Sequence, residues 1–171
     1  MNLYAYAGNN PITFTDPFGL CEGGNATQSQ GGSECLRFAQ YVDKLARETK
    51  TDAEFVGRLR TDVAGLPHGL EGGAEEPPAK FGNSGFRSEL VDDRNPARHY
   101  SAFVTAGFEY GGVFASAVAV GRELPGICHR GCSVQDVRLG LVGGQHGAEL
   151  RPNGLQVNHG SPGATRHDIA R

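Results

Sequence analysis

The sequence has little of what usually announces a function. It has no surplus of Lys and Arg: 16 basic residues stand against 19 acidic ones, for a net charge of −3 and a pI of about 6.1. A partner held mainly through its phosphates is therefore disfavoured, because domains of that kind usually carry excess positive charge. A compact nuclease site is not excluded by this balance. The first residues lack the basic-then-apolar pattern of a secretory signal. There is no P-loop, no G-x-G-x-x-G opening a suitable helix, no H-E-x-x-H and no two-His nuclease motif with metal-ligand spacing. No metal and no cofactor is expected. Core-forming side chains are also sparse, with 38% hydrophobic residues and a mean hydropathy of −0.38. The 171 residues fit one ordinary domain with a short appendage. What abounds is glycine, 26 residues, roughly double the ordinary usage of about 7%. These glycines have no collagen period and lie in clusters, which points to long loops around a modest core. No internal repeat is present.

Residues 1–20 read as β-structure and turns. Leu3, Tyr4 and Tyr6 are strand formers, Gly8-Asn9-Asn10-Pro11 is a turn, and Ile12-Thr13-Phe14 is a second short strand. Asp16-Pro17-Phe18-Gly19 forms a further turn. Such a piece exposes aromatic side chains and open strand edges, so it belongs to a larger β-structure. The order Asn2-Leu3-Tyr4-Ala5-Tyr6, then Asn9-Asn10-Pro11, then Asp16-Pro17-Phe18-Gly19-Leu20 resembles the end of the core of Rhs/YD-repeat proteins. The resemblance implies a hollow β-cocoon upstream, autocleavage after Leu20, and a toxin or effector tip beginning at Cys21. It also implies that Asp16 is one carboxylate of an aspartyl-protease-like pair, whose second member belongs to an upstream motif outside this chain. A single Asp cannot share a proton with a neighbour, so in this chain alone Asp16 reads as a turn residue.

The domain division expected is therefore 1–20 as core remnant, 21–34 as a polar, Gly-rich linker, and 35–171 as the tip. Ser33 suits the N-cap of a first helix, with Cys35, Phe38, Ala39, Val42, Leu45 and Ala46 on one buried stripe. Thr51-Asp52-Ala53-Glu54 is a capping box opening a second helix with Phe55, Leu59 and Val63 inward. Residues 67–85 form a long Gly/Pro/Glu loop. Asn95 followed by Pro96 starts one long helix to Val120, rich in small residues. Ser133-Val134-Gln135-Asp136 is another capping box, and the last twenty residues are turn-rich. The fold class is mainly α with long loops behind a short β remnant; the alternative is α+β.

Candidate sites gather around the long helix. Arg98 and His99 lie in its first turn, where free N–H groups and the positive end of the helix favour an anion. His99 can alternatively act as a base oriented by Asp92 or Asp93. Arg98, Thr105, Glu109 and Ser116 fall on one line of the helix. Glu109, between Phe108 and Tyr110, would have a raised pKa if buried and would serve as a general acid; otherwise it is simply a solvated residue. Phe81-Gly82-Asn83-Ser84-Gly85-Phe86, together with Asp92 and Asn95-Pro96-Ala97-Arg98-His99-Tyr100, resembles uncharacterised tips of other Rhs-like proteins. That segment would bring Ser84 to a ligand, or form a turn into the helix. Glu123, beside Arg122, and His146, in a Gly-rich bend, are supporting candidates or surface residues. For the four cysteines, three readings compete: a zinc site with poor spacing, a Cys128–Cys132 disulfide, and a Cys35 nucleophile paired with His99. A buried helical role for Cys35, with Cys128 and Cys132 free or locally bridged, is preferred.

The function expected is that of the toxin domain of an Rhs-type interbacterial effector, released after Leu20 and acting as a hydrolase on an essential molecule of the target cell. Glycoside hydrolysis suits a carboxylic acid in an apolar setting. The alternatives are a membrane-perturbing tip using residues 102–120, a nuclease toxin, and an inactive orphan tip. The 102–120 stretch approaches the roughly 20 residues of a membrane span, but Glu109 and its polar neighbours make insertion costly and favour a soluble core helix. The resemblance further implies a cognate immunity protein, a parent cocoon with its secretion machinery, and delivery into the cytoplasm or periplasm of a target bacterium.

Overall fold

The first helix forms where the sequence supplies a cap and a stripe. In the computed structural model, which describes residues 19–22, 33–66, 80–92, 95–122 and 133–151, the Ser33 hydroxyl accepts a hydrogen bond from the Leu36 amide at 3.3 Å. This opens α1 (Glu34–Glu48), which buries Cys35, Phe38, Ala39, Val42, Leu45 and Ala46. At Thr49 the backbone turns extended. The Thr51 hydroxyl then caps α2 (Asp52–Asp62) through the Glu54 amide, while the Glu54 carboxylate accepts from the Lys50 amide at 2.9 Å. Both ends of this capping box satisfy donors that a helix start would otherwise leave open. α2 buries Phe55, Val56 and Leu59 and ends before Gly65, whose φ is +68°.

The long helix expected over Asn95–Val120 is instead two helices, α3 (Pro96–Tyr110) and α4 (Gly112–Arg122). Asn95 and Pro96 hold the expected start, although the Asn95 side chain makes no capping bond. Gly111 breaks the helix, with φ +94° and ψ 159°, a conformation that favours glycine. Its amide still closes α3 on the Gly107 carbonyl, and its carbonyl starts α4 by accepting from Ala115. After Ser133, whose hydroxyl accepts from the Asp136 amide, α5 (Val134–Glu149) runs unbroken through Gly140, Gly143, Gly144 and Gly147.

Those glycines explain how the last three helices fit together. A Cβ on Gly147 would fall inside contact distance of the Val104 carbonyl oxygen and 2.8 Å from the Phe108 amide nitrogen. A Cβ on Gly143 would meet the Tyr100 carbonyl oxygen at 2.7 Å, and one on Gly144 the Ala115 methyl at 2.7 Å. The α3 and α5 backbones therefore touch directly, with Gly107 of α3 against Gly144 and Ala148. Glycine costs helix propensity, and here that cost is exchanged for backbone-to-backbone packing.

The main core joins α1, α2, α3 and α5 around Phe38, Phe55, Leu59, Tyr100 and Leu139. Phe38 meets Phe81 and Tyr100 edge-on. A smaller cluster of Phe103, Ala106, Ala115 and Ala119 fills the space between α3 and α4. Leu20 is 1% exposed in the main core, and Cys21 pairs antiparallel with Phe86 in an isolated bridge. Cys21 is also disulfide-bonded to Cys35. Residues 21–34 are thus not a free linker at their two ends: Cys21, Glu22, Ser33 and Glu34 all pack or bond within the domain. A short 3-10 turn (Ser88–Leu90) leads on toward α3. Among the described residues there is no strand beyond the single bridge, and the domain is mainly α. No helix among them is long and apolar enough to cross a membrane.

Candidate functional site

The start of α3 packs against the start of α5, and His99 sits at that junction. Its Nε2 lies 2.9 Å from the Asp136 backbone oxygen. A carbonyl oxygen only accepts, so this nitrogen carries the ring proton. Nδ1 then faces the Asp136 carboxylate, with Oδ2 at 3.9 Å. The ring stacks on Phe103 with centroids 4.9 Å apart, and Gly140 admits it, since a Cβ there would come within 3.3 Å of Nε2. His99 and Asp136 are 19% and 16% exposed at their side chains, so the pair is accessible at one edge. Asp136 is legible in the sequence only as part of a capping box; its role beside His99 comes from the tight α3–α5 contact.

The other expected site residues are spread over the molecule. Arg98 reaches the other way, its Nε donating to the Ala64 carbonyl at 3.1 Å, and so ties α3 to the end of α2. Glu109 lies ten residues beyond His99, about 15 Å along the helix axis at 1.5 Å per residue. It is not isolated among apolar groups: Arg60 of α2 pairs with its Oε1 at 2.9 Å. This ion pair takes the place of the desolvated acid expected from Phe108 and Tyr110. Thr105, on the same expected polar line, is fully buried and bonds back to the Ser101 carbonyl.

Ser84 does structural work at the start of α1, where its hydroxyl accepts from the Glu34 amide and its carbonyl from the Cys35 amide. The Asp92 backbone carbonyl accepts from the Asn83 side chain at 3.5 Å. His146 is half-buried, its Nδ1 2.7 Å from the Tyr100 hydroxyl, and desolvation pushes its pKa down. Arg122 ends α4. Asp16, Asp93, Glu123, Cys128 and Cys132 lie outside the described residues.

The cysteine readings change as well. With Cys35 bonded to Cys21, no thiolate is available to pair with His99, and this pair of thiols cannot serve as zinc ligands. Residue type and helix position drew attention to Cys35. The partner was hidden because the intervening Gly-rich segment gave no sign that Cys21 folds back. Among the described residues no three His, Cys, Asp or Glu side chains converge on a metal-sized site.

A groove that the sequence did not announce runs along α1. It measures about 340 Å³ and is lined by Arg37, Gln40, Tyr41, Lys44, Lys80 and Phe81. Its charges are largely answered from within. Arg37 pairs with Glu34 at 2.6 Å and Lys44 with Glu48 at 3.6 Å. A bond from the Gly82 amide, and then Arg37, hold the Glu34 carboxyl below its usual range. Lys80 lies over the Tyr41 ring, 3.8 Å from its centroid, and covers the aromatic face that a planar ligand would need. The Tyr41 hydroxyl donates to Asp62; burial first, and then that bond, push its pKa up to about 12. The groove is accordingly a closed electrostatic unit.

The pair suited to proton transfer is His99 with Asp136, an imidazole whose Nε2 proton is held on a backbone carbonyl and whose Nδ1 lies 3.9 Å from a carboxylate. Such a pair is competent to take up a proton at Nδ1. Comparison with family models, with curated proteins and with solved structures gives no match for this chain.

Proposed function

We propose that the chain is the effector tip of an Rhs-type toxin, delivered into a competing bacterial cell, where it acts as a hydrolase on an essential molecule. The observation that carries this reading is the ordered N-L-Y-x-Y, N-N-P and D-P-x-G-L series over residues 2–20, followed directly by a small folded helical domain. Within the domain, His99 is the proposed base, its ring oriented by the Asp136 backbone carbonyl at Nε2, and the Asp136 carboxylate is the group proposed to stabilise a proton taken up at Nδ1. Arg98, one residue away, is tied to Ala64 and holds the start of α3 in place. In the producing cell a cognate immunity protein covers the site.

The test is growth of a bacterial host expressing the chain in the cytoplasm or behind a secretion signal. His99→Ala and Asp136→Asn variants are run in parallel, each shown by circular dichroism to be folded. Loss of toxicity in both variants, in the one compartment where the parent is toxic, supports the reading. Full toxicity of both folded variants refutes the assigned site.

A second reading is favoured by one observation on α4. This helix buries only Ala115 and Ala119, while Val113 is 87% exposed and Phe114 and Val120 are each 46% exposed. In that reading the helix lies on a membrane surface with its apolar face down and does not span it. Dye release from liposomes that survives His99→Ala but is lost in a Val113→Ser, Phe114→Ser double variant would establish it over the hydrolase.

A further inference from the structure

The segment Gly19–Glu22 is bound to the domain along its whole described length. The Leu20 side chain is 1% exposed in the core, and its carbonyl accepts from the Arg87 amide at 2.7 Å. The Glu22 amide donates to the Gly85 carbonyl at 2.8 Å, and the Glu22 carboxylate accepts from the Ser88 amide at 3.2 Å. The Arg87 guanidinium donates to the Gly19 carbonyl at 3.1 Å. One covalent bond, Cys21–Cys35, fixes this strap to the first turn of α1 across 14 residues of sequence.

We propose that the Cys21–Cys35 disulfide is a reducible latch: a dithiol opens it, the strap Gly19–Glu22 detaches from the 85–88 segment, and the helical body stays folded. The two sulfurs are not equivalent. Cys35 is fully buried and Cys21 only partly so, so the entering thiolate meets Cys21 Sγ. Cys35 lies in the first helical turn of α1, where the open amides and helix dipole stabilise a departing thiolate.

The exchange runs in two displacements. A reductant thiolate bonds to Cys21 Sγ, the Sγ–Sγ bond breaks, and its electron pair leaves on Cys35, which takes a proton from solvent. The second thiol of the reductant, deprotonated, then bonds to its own partner sulfur and expels Cys21 as a thiolate. The reductant ends as an intramolecular disulfide, Cys21 takes a proton from solvent, and the protein has gained two electrons and two protons as two free thiols.

The strap itself supplies one core side chain and a short set of backbone bonds. The α3–α5 contact is built from other residues, which is why opening stays local. The latch is independent of what the domain acts on: it follows from the contacts of the strap and not from the hydrolase assignment.

The experiment is hydrogen–deuterium exchange by mass spectrometry on the full chain in a Cys128→Ser, Cys132→Ser background, with and without dithiothreitol. Alkylation confirms the redox state of Cys21 and Cys35. The expected result is that reduction speeds exchange at the Glu22 and Arg87 amides roughly a hundredfold, the factor for releasing a loop of about 15 residues, while peptides from α3 and α5 keep their protection. A Cys21→Ser variant should reproduce the reduced pattern with no reductant present.

Unchanged protection of the strap after confirmed reduction would overturn the proposal. So would simultaneous loss of protection in α3 and α5, or a disulfide that resists the dithiol under native conditions.

Discussion

Replacing one glycine by alanine should have opposite consequences at two places in this molecule, and the difference follows from distances alone. Gly147 lies in α5 with the backbone of α3 pressed against it. An added Cβ would overlap the Val104 carbonyl oxygen and sit 2.8 Å from the Phe108 amide nitrogen. Neither neighbour is a flexible side-chain end, so relief requires the helices to part by about 1 Å, and a gap of that size forfeits a quarter to a half of the dispersion energy across the contact. Overpacking of this kind costs typically 1–3 kcal/mol and occasionally more, and backbone against backbone belongs at the upper end, about 3 kcal/mol. The gain in helix propensity on leaving glycine returns about 1 kcal/mol, for a net loss of about 2 kcal/mol. Gly57 lies inside α2 with nothing within 4 Å of its added Cβ, so Gly57→Ala should retain the propensity gain and stabilise by about 1 kcal/mol. Thermal and urea unfolding of the two variants beside the parent provides the assay. The expected shifts are a fall of roughly 10 °C for Gly147→Ala and a rise of a few degrees for Gly57→Ala. If Gly147→Ala unfolds at the parent temperature or above, the α3–α5 contact is not the backbone seam described, and the explanation of the α5 glycines fails with it.

Three further outcomes are expected. His146 is held below its ordinary value of 6.5 by burial, with Glu149 opposing, so the unfolded chain binds its proton first as the pH falls. Stability should therefore decline from about pH 6.5 downward, and His146→Gln should flatten that part of a urea-midpoint profile measured from pH 7.5 to 5. Glu109→Gln leaves Arg60 partly buried without its carboxylate, and Arg60 Nε is already without a hydrogen-bond partner. The variant should lose about 1 kcal/mol of stability and, under the proposed toxin reading, be as toxic as the parent, so that toxicity present in the parent but abolished in the folded variant would return Glu109 to the candidate site. Gly85 has φ +76° and a Cβ there would overlap Ser33, the cap of α1. Gly85→Ala should cost about 2 kcal/mol and expose the Leu20 segment to limited proteolysis, whereas an unchanged digestion pattern would argue against the strap's dependence on that turn.

Local chemistry was readable in the sequence, and long-range proximity was not. The caps at Ser33, Thr51 and Ser133 and the buried stripe of α1 each depend on residues within about two turns of one another, and all formed as their spacing implies. The break at Gly111 was missed because two adjacent glycines only weaken a helix; the neighbours that crowd this pair, Arg151 at Gly111 and Ala148 at Gly112, come from more than thirty residues later in the chain. The candidate site shows the same division. Arg98, His99 and Glu109 share one helix, which made them look like one group, but a helix carries its side chains apart as surely as it lines them up. None of them partners another: Arg98 reaches Ala64 just beyond α2, Glu109 pairs with Arg60 near the end of α2, and His99 meets Asp136 at the start of α5. Asp136 was concealed by a sufficient local role, since its amide completes a helix cap and nothing nearby in sequence needs its carboxylate. The α5 glycines were the available signal. Four small residues at positions 140, 143, 144 and 147, three or four apart, define one face of a helix, and a bare face on a buried helix requires another backbone to lie on it. That face does not say which way the partner helix runs; in the structure α3 lies parallel to α5, with Gly140 beside His99 and Gly147 beside Val104, and this direction is what brings the carboxylate at 136 to the imidazole at 99.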